Sequence, residues 1–123
     1  QADEVATLTS ASVGPWPPER GSWDLLVNCT PIGMHPHVDE TPIPSGDLTG
    51  RYVYDLVYNP PMTRLLIEAR RAGCHIIGGL EMLVAQAHEQ FQWWMGTRPP
   101  AGIMREAALK RLAEFVRDEH HLV

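Results

Sequence analysis

Hydrophobic residues form three short runs in this chain, at residues 23–29, 52–58 and 74–77. Short apolar runs rich in β-branched and aromatic residues are typical of strands buried on both faces of a parallel sheet. Each run ends at residues that stop a strand, namely Thr30-Pro31-Ile32-Gly33, Asn59-Pro60-Pro61 and Gly78-Gly79. The pattern therefore predicts three main strands, and residues 11–13 predict a further short one.

Apolar residues recur at spacings of three and four in the remaining segments, which is typical of helices with one buried face. A weak pattern covers residues 1–9, and stronger ones predict helices from Pro61 to Ala72, over residues 80–94 and over residues 101–116. The predicted buried faces are Met62, Leu65, Leu66, Ala69 and Ala72; then Leu80, Leu83, Val84, Ala87, Phe91 and Trp94; then Met104, Ala108, Leu112 and Phe115. Residues 117–123 are expected to fray, and Trp93 and Trp94 to pack against a neighbouring domain.

The order strand, loop, strand, helix, strand, helix predicts an α/β fold with a parallel sheet flanked by helices. Right-handed crossovers would place the three strands side by side, with their carboxyl ends on one edge. Ligands of open α/β sheets bind just outside that edge. We therefore expect the functional site where residues 30–34, 58–60 and 78–79 converge.

Composition narrows the function classes. The net charge is −5 and the ten basic residues are scattered, so a nucleic-acid groove is not indicated. No apolar stretch reaches the length of about 20 residues that spans a membrane. Cys29 and Cys74 lie in apolar runs, which predicts buried, reduced thiols and a cytoplasmic protein. Because the pattern of residues 2–8 resembles a helix entered midway, we expect the chain to be part of a longer one.

Three motifs then resemble a known family, the NADP-dependent shikimate dehydrogenases. They are NCTPIGM at residues 28–34, YDLVYNP at 54–60 and GGLEMLVAQA at 78–87. The resemblance implies that residues 1–123 form a single domain, the carboxyl-terminal part of a Rossmann NADP-binding domain. Its last helices would pack toward a substrate domain that is not among these residues.

The resemblance also implies roles for individual residues. Thr30, Leu56 and Gly79 match positions beside the cofactor NADP, and Tyr58 and Gln86 match positions that bind shikimate or 3-dehydroshikimate. Gly79 and Gln86 are two helical turns apart, about 10 Å, so one helix could contact both ligands.

Four of these residues also have a plainer interpretation. Thr30 could simply form a turn, Tyr58 could be a packed aromatic residue, and Gln86 could be a solvated residue at the edge of an apolar stripe. Gly79, with Gly78, could merely permit a tight turn.

Two departures from the family pattern limit these implications. The sequence has no G-x-G-x-x-G phosphate fingerprint and no basic patch for the 2′-phosphate of NADP. In the family, the catalytic lysine and aspartate lie in the amino-terminal domain, whereas the only lysine here, Lys110, falls on the exposed face of the last helix. We therefore expect no catalytic residue in this chain. A quinate/shikimate dehydrogenase that uses NAD remains an alternative.

A different class of function is a noncatalytic binding or assembly module. The first strand has no predicted neighbour on its outer side, and an unpaired apolar edge favours self-association. A metal site is disfavoured, because His35 and His37, beside Asp39 and Glu40, have no third histidine or cysteine at ligand spacing.

Overall fold

The structure is a computed structural model that describes residues 1–120. Its helices and strands are α1 (Ala2–Leu8), β1 (Leu25–Asn28), β2 (Tyr52–Asp55), α2 (Arg64–Arg71), β3 (His75–Ile77), α3 (Gly79–Met95) and α4 (Ile103–His120), with a 3₁₀ turn at Ser45–Asp47. None of these helices is long and apolar enough to cross a membrane.

The three strands form a parallel sheet in the order β1-β2-β3. Leu26 of β1 pairs with Val53 of β2, which pairs with Ile76 of β3. The predicted α/β fold and parallel sheet are therefore confirmed. The short strand predicted at residues 11–13 is wrong: this segment is irregular, because no strand lies beside it in the described chain.

One face of the sheet carries the core. Eight buried residues form it: Leu26, Ile43, Leu48, Val53, Leu65, Leu66, Ala69 and Cys74. Three of them come from α2, which packs against β2 and β3, and two come from the loop between β1 and β2. That loop is thus part of the core, although its sequence predicts irregular structure.

The opposite face of the sheet is uncovered. Leu25 and Val27 of β1, Tyr52 of β2 and Ile77 of β3 are all exposed, and Leu25 is 52% accessible. β1 is also an edge strand of the described sheet. A parallel sheet normally has both faces covered, so this face is an apolar surface without a partner within the described residues.

Helix α2 begins later than predicted, at Arg64 rather than Pro61. The Thr63 hydroxyl accepts a hydrogen bond from the backbone N–H of Leu66 and so caps the helix. This hydrogen bond satisfies one of the backbone N–H groups that have no partner within the helix at its start. The predicted apolar face is confirmed for Leu65, Leu66 and Ala69, while Ala72 is exposed.

Helices α3 and α4 pack against each other, and the prediction of their buried faces is wrong only for Trp94 and Phe115, which are exposed. Leu80 is buried, and the other predicted residues are half-buried, namely Leu83, Val84, Ala87, Phe91, Met104, Ala108 and Leu112. In α3 only Gly79 and Leu80 are buried, and Trp94 is 76% accessible. A helix of 17 residues is about 25 Å long, whereas strands of three or four residues extend about 10–13 Å, so most of α3 projects beyond the sheet. The same holds for α4, where Phe115 is exposed. Because α4 continues to His120, the predicted fraying fails for residues 117–120, while residues 121–123 lie outside the described chain.

The two cysteines differ in environment. Cys74 is buried and its Sγ lies 3.3 Å from the carbonyl oxygen of Gly50, whereas Cys29 is exposed at the end of β1. Both are free thiols. The prediction that both are buried is therefore wrong for Cys29, because the chain leaves the core immediately after Asn28.

Gly79 lies directly behind the end of β2. A Cβ atom at this position would overlap the carbonyl oxygen of Leu56 and lie 2.7 Å from that of Val57. Gly79→Ala should therefore lower the free energy of unfolding by about 1–3 kcal/mol, measured by urea denaturation. The control is Gly46→Ala, whose new Cβ would meet no atom within 4 Å; a change within about 0.5 kcal/mol is expected. Equal effects of the two substitutions would contradict this packing.

Thiol titration with a disulfide reagent should give one fast and one slow reaction. Cys29 is exposed, while burial shields Cys74 and raises the pKa of its thiol, so Cys74 has less reactive thiolate at neutral pH. Cys29→Ser should remove the fast reaction, and denaturant should make both thiols react fast. Two fast thiols in the folded chain would contradict the burial of Cys74.

Candidate functional site

A cleft of about 500 Å³ lies at the carboxyl edge of the sheet. Its walls are the loop after β1, the loop after β2 and one residue of α4, Phe115. We call it the carboxyl-edge cleft. It is where the topology of parallel strands predicts a ligand site.

The loop after β1 is held by the side chain of Asn28. The Asn28 Oδ1 accepts hydrogen bonds from the Thr30 N–H at 3.1 Å and the Thr30 hydroxyl at 2.6 Å, and its Nδ2 donates to the Ile32 carbonyl oxygen at 3.2 Å. One buried amide thus holds both ends of the turn from Thr30 to Ile32. Gly33, with φ of 89°, then turns the chain in a conformation that side chains rarely adopt.

The loop after β2 is held by Asp55, which is fully buried. Its Oδ1 accepts from the Val57 N–H and from the Asn28 Nδ2, each at 3.0 Å, and its Oδ2 accepts from the Thr63 hydroxyl at 2.6 Å. Because the carboxylate takes the Val57 N–H, the sheet pairing of β2 ends at Asp55 instead of continuing to Tyr58 as predicted. Residues 56–58 form a wall of the cleft instead.

Further contacts join the walls to each other. The His35 N–H donates to the Asn59 carbonyl oxygen at 2.9 Å, which ties the two loops together. The His35 ring meets Phe115 edge-on, with 5.0 Å between ring centroids. Helix α4 therefore returns to the cleft and closes one end of it.

Of the five residues assigned by resemblance, three lie together in the carboxyl-edge cleft: Thr30, Leu56 and Tyr58. Thr30 and Tyr58 are exposed to it, and Leu56 is half-buried. Gly79 lies behind the cleft, against the Leu56 carbonyl. Gln86 lies on α3, where it lines a separate groove with Trp93. The structure thus does not bring Gln86 and Tyr58 into one cavity.

The histidines near the site are not arranged around a metal. His37 pairs with Glu40, with 3.8 Å between the Nδ1 and Oε1 atoms, and both side chains are exposed. Within residues 1–120, no group of three potential ligand side chains is close enough to hold an ion.

The residues that sequence reasoning missed are Asn28, Asp55 and Thr63. Asn28 and Asp55 both stood inside the quoted motifs, and each is a polar residue at the end of an apolar strand. A buried polar side chain at the ends of two neighbouring strands is the signal that could have identified them. Thr63 carried a weaker signal, as a hydroxyl residue directly before a helix.

The cleft combines apolar walls with a few polar atoms. Met34, Leu56 and Val57 offer surface for a flat ring, while the Thr30 and Tyr58 hydroxyls can make hydrogen bonds. This is the usual composition of a small-molecule site.

Comparison with known proteins identifies relatives. A family model described as the Shikimate 5'-dehydrogenase C-terminal domain matches residues 79–109. The shikimate dehydrogenase (NADP(+)) of Archaeoglobus fulgidus is 45% identical over an alignment of 103 residues that covers 79% of this chain and 38% of that enzyme. The chain therefore spans well under half the length of this curated relative.

Comparison with solved structures finds relatives of the same kind. The shikimate 5-dehydrogenase of Thermus thermophilus, in complex with NADP(H) and shikimate, has a TM-score of 0.62 and 38% identity over 72% of this chain and 33% of that one. The quinate dehydrogenase of Corynebacterium glutamicum, in complex with NAD, has a TM-score of 0.66 and 35% identity over 72% of this chain and 32% of that one. With these relatives, the shared motifs and the common fold, the chain belongs to the shikimate dehydrogenase family.

Proposed function

We propose that this chain forms the nicotinamide wall and one side of the substrate cleft of an NADP-dependent shikimate dehydrogenase. That enzyme would interconvert 3-dehydroshikimate and NADPH with shikimate and NADP⁺. The observation that carries the proposal is the carboxyl-edge cleft, in which Thr30, Leu56 and Tyr58 lie together. The Thermus thermophilus relative, solved with NADP(H) and shikimate, supports the choice of both ligands.

The residues present fit only one end of the cofactor. The apolar walls and volume of the carboxyl-edge cleft suit a nicotinamide ring. The sequence has no glycine-rich fingerprint to cradle a pyrophosphate, so residues beyond these 123 would bind the rest of the cofactor. Residues 1–123 would then be the carboxyl-terminal part of a Rossmann domain, in a cytoplasmic enzyme whose substrate domain is formed by other residues.

NADP, when bound, supplies the hydride chemistry. This chain would supply position: Leu56 and Val57 exclude water from one side of the ring, and the Tyr58 hydroxyl binds the substrate. Gly79 lets α3 approach the cleft wall, whereas Gln86, which the resemblance assigns to the substrate, lines the separate groove on α3. Lys110 is exposed on α4, so proton transfer would come from residues outside this chain.

Chimeric enzymes test the proposal. The aligned region of the Archaeoglobus fulgidus shikimate dehydrogenase is replaced by the matching residues of this chain, and shikimate-dependent NADP⁺ reduction is followed by absorbance. We expect an active chimera. Tyr58→Phe should raise the KM for shikimate about 5–30-fold, which corresponds to the loss of one or two hydrogen bonds to a buried ligand, with little change in the KM for NADP⁺.

Tyr52→Phe is the matched control, since Tyr52 lies at the opposite end of β2. It should leave both KM values unchanged. A folded chimera without activity would refute the proposal. An unchanged shikimate KM in Tyr58→Phe would refute the role of Tyr58. A chimera that prefers quinate and NAD would favour the alternative that the Corynebacterium glutamicum relative represents.

A second candidate function is that of an assembly module, and the uncovered sheet face favours it. If the isolated chain associates through the edge of β1, light scattering should give a mass above 13.8 kDa. Leu25→Lys places a charge on that edge and should restore the monomer. Leu8→Lys, at an exposed position of α1, should not. A monomeric wild-type chain would exclude this candidate.

A further inference from the structure

The buried network at the carboxyl-edge cleft has a fixed hydrogen-bond polarity. It begins at Asp55, whose Oδ1 accepts a hydrogen bond from the Val57 N–H. The same oxygen lies 3.0 Å from the amide group of Asn28, so that group must be the donating NH₂. The carbonyl oxygen of Ile32, which can only accept, lies on the same side of the amide at 3.2 Å.

The opposite side of the Asn28 amide is equally constrained. The Thr30 backbone N–H, which can only donate, points at the Asn28 Oδ1 at 3.1 Å. Three partners of fixed chemistry therefore set the orientation of this amide. Rotating it by 180° would leave two acceptors facing an acceptor and two donors facing each other, all in a buried site.

This polarity determines what the Thr30 hydroxyl can do. The Asn28 Oδ1 only accepts, so the Thr30 hydroxyl, 2.6 Å away, must donate its single proton there. Its oxygen also lies 3.3 Å from the Ile32 N–H, from which it accepts. A hydroxyl has one proton and two lone pairs. What remains for a ligand is one lone pair.

We propose that Thr30 is a specificity-determining residue that offers a ligand only a hydrogen-bond acceptor, with Asn28 and Asp55 as the positioning residues that impose this polarity. The cleft would then select a ring whose substituent brings an N–H donor. For a pyridine nucleotide, which rests on the proposed function, that substituent is the carboxamide NH₂. A carboxylate in the same place would set its lone pairs against that of Thr30.

The test is a titration of the 123-residue chain with two ligands that differ only in this substituent. They are nicotinamide mononucleotide and nicotinic acid mononucleotide, and binding is followed by the NMR shifts of backbone amides. The wild-type chain should bind the carboxamide ligand at least about tenfold more tightly, the equivalent of one hydrogen bond and the repulsion it replaces. Shifts should concentrate at residues 29–35 and 56–59.

Variants separate the effect of the Thr30 hydroxyl on ligand affinity from the effect of the overall charge of the chain. The net charge of −5 disfavours the extra carboxylate in every variant alike, so the diagnostic quantity is the change in the affinity ratio. Thr30→Val, which removes the hydroxyl at an exposed position, should reduce the ratio several-fold. Thr30→Ser keeps the hydroxyl and should preserve it. Asn28→Leu frees the Thr30 proton and should also reduce the ratio. If that variant does not fold, the comparison of Thr30→Val with Thr30→Ser still tests the inference.

The outcomes are distinct. Equal affinity of the wild-type chain for both mononucleotides, or an unchanged ratio in Thr30→Val, would overturn this inference and leave the nicotinamide site standing. Absence of shifts in both loops with either ligand would overturn the proposed function and this inference together. A ratio that falls in Thr30→Val and is retained in Thr30→Ser would establish it.

Discussion

The structure depends on one buried carboxylate. Burying a charge without hydrogen bonds costs several kcal/mol, so Asp55 constrains every group around it to donate. Its three donors come from the Asn28 amide, the backbone of Val57 and the hydroxyl of Thr63. Through them it ends β2, joins β2 to β1 and fixes the residue that caps α2. The same constraint that holds the core together therefore also shapes the cleft.

This arrangement accounts for the contrast between the two sides of the molecule. Near Asp55 the chain is densely connected, with α2 and the loop between β1 and β2 packed on one sheet face. The other face, together with the outer half of α3, presents apolar side chains such as Leu25 and Trp93, the latter 89% accessible. Surfaces of this kind are unfavourable in water unless something covers them. The organised cleft lies at the boundary between the two regions.

The sequence pattern predicted the strands, their order and the edge at which the cleft lies, because these follow from local hydrophobic runs and from the handedness of crossovers. It could not predict that α3 would project beyond the sheet, since periodicity shows which face is apolar but not whether anything covers it. Nor could it predict the end of β2, where a side chain replaces the pairing of the backbone. Thr30 and Tyr58 were assigned through motifs, whereas Asn28 and Asp55 were passed over because their roles depend on which polar atoms meet across two strands.

Shape alone would leave the cleft ambiguous. A flat pyridine ring fits between apolar walls equally well after a rotation of 180°, which exchanges the face turned toward a substrate. A polar atom on one wall distinguishes the two orientations only if its own hydrogen-bonding sense is fixed, because a free hydroxyl could rotate and satisfy either. The Thr30 hydroxyl is not free, since Asn28 takes its proton. Under the proposed function, the buried network would convert a requirement of folding into a preference for one orientation of a bound ring, which is the form of positioning that a hydride transfer needs.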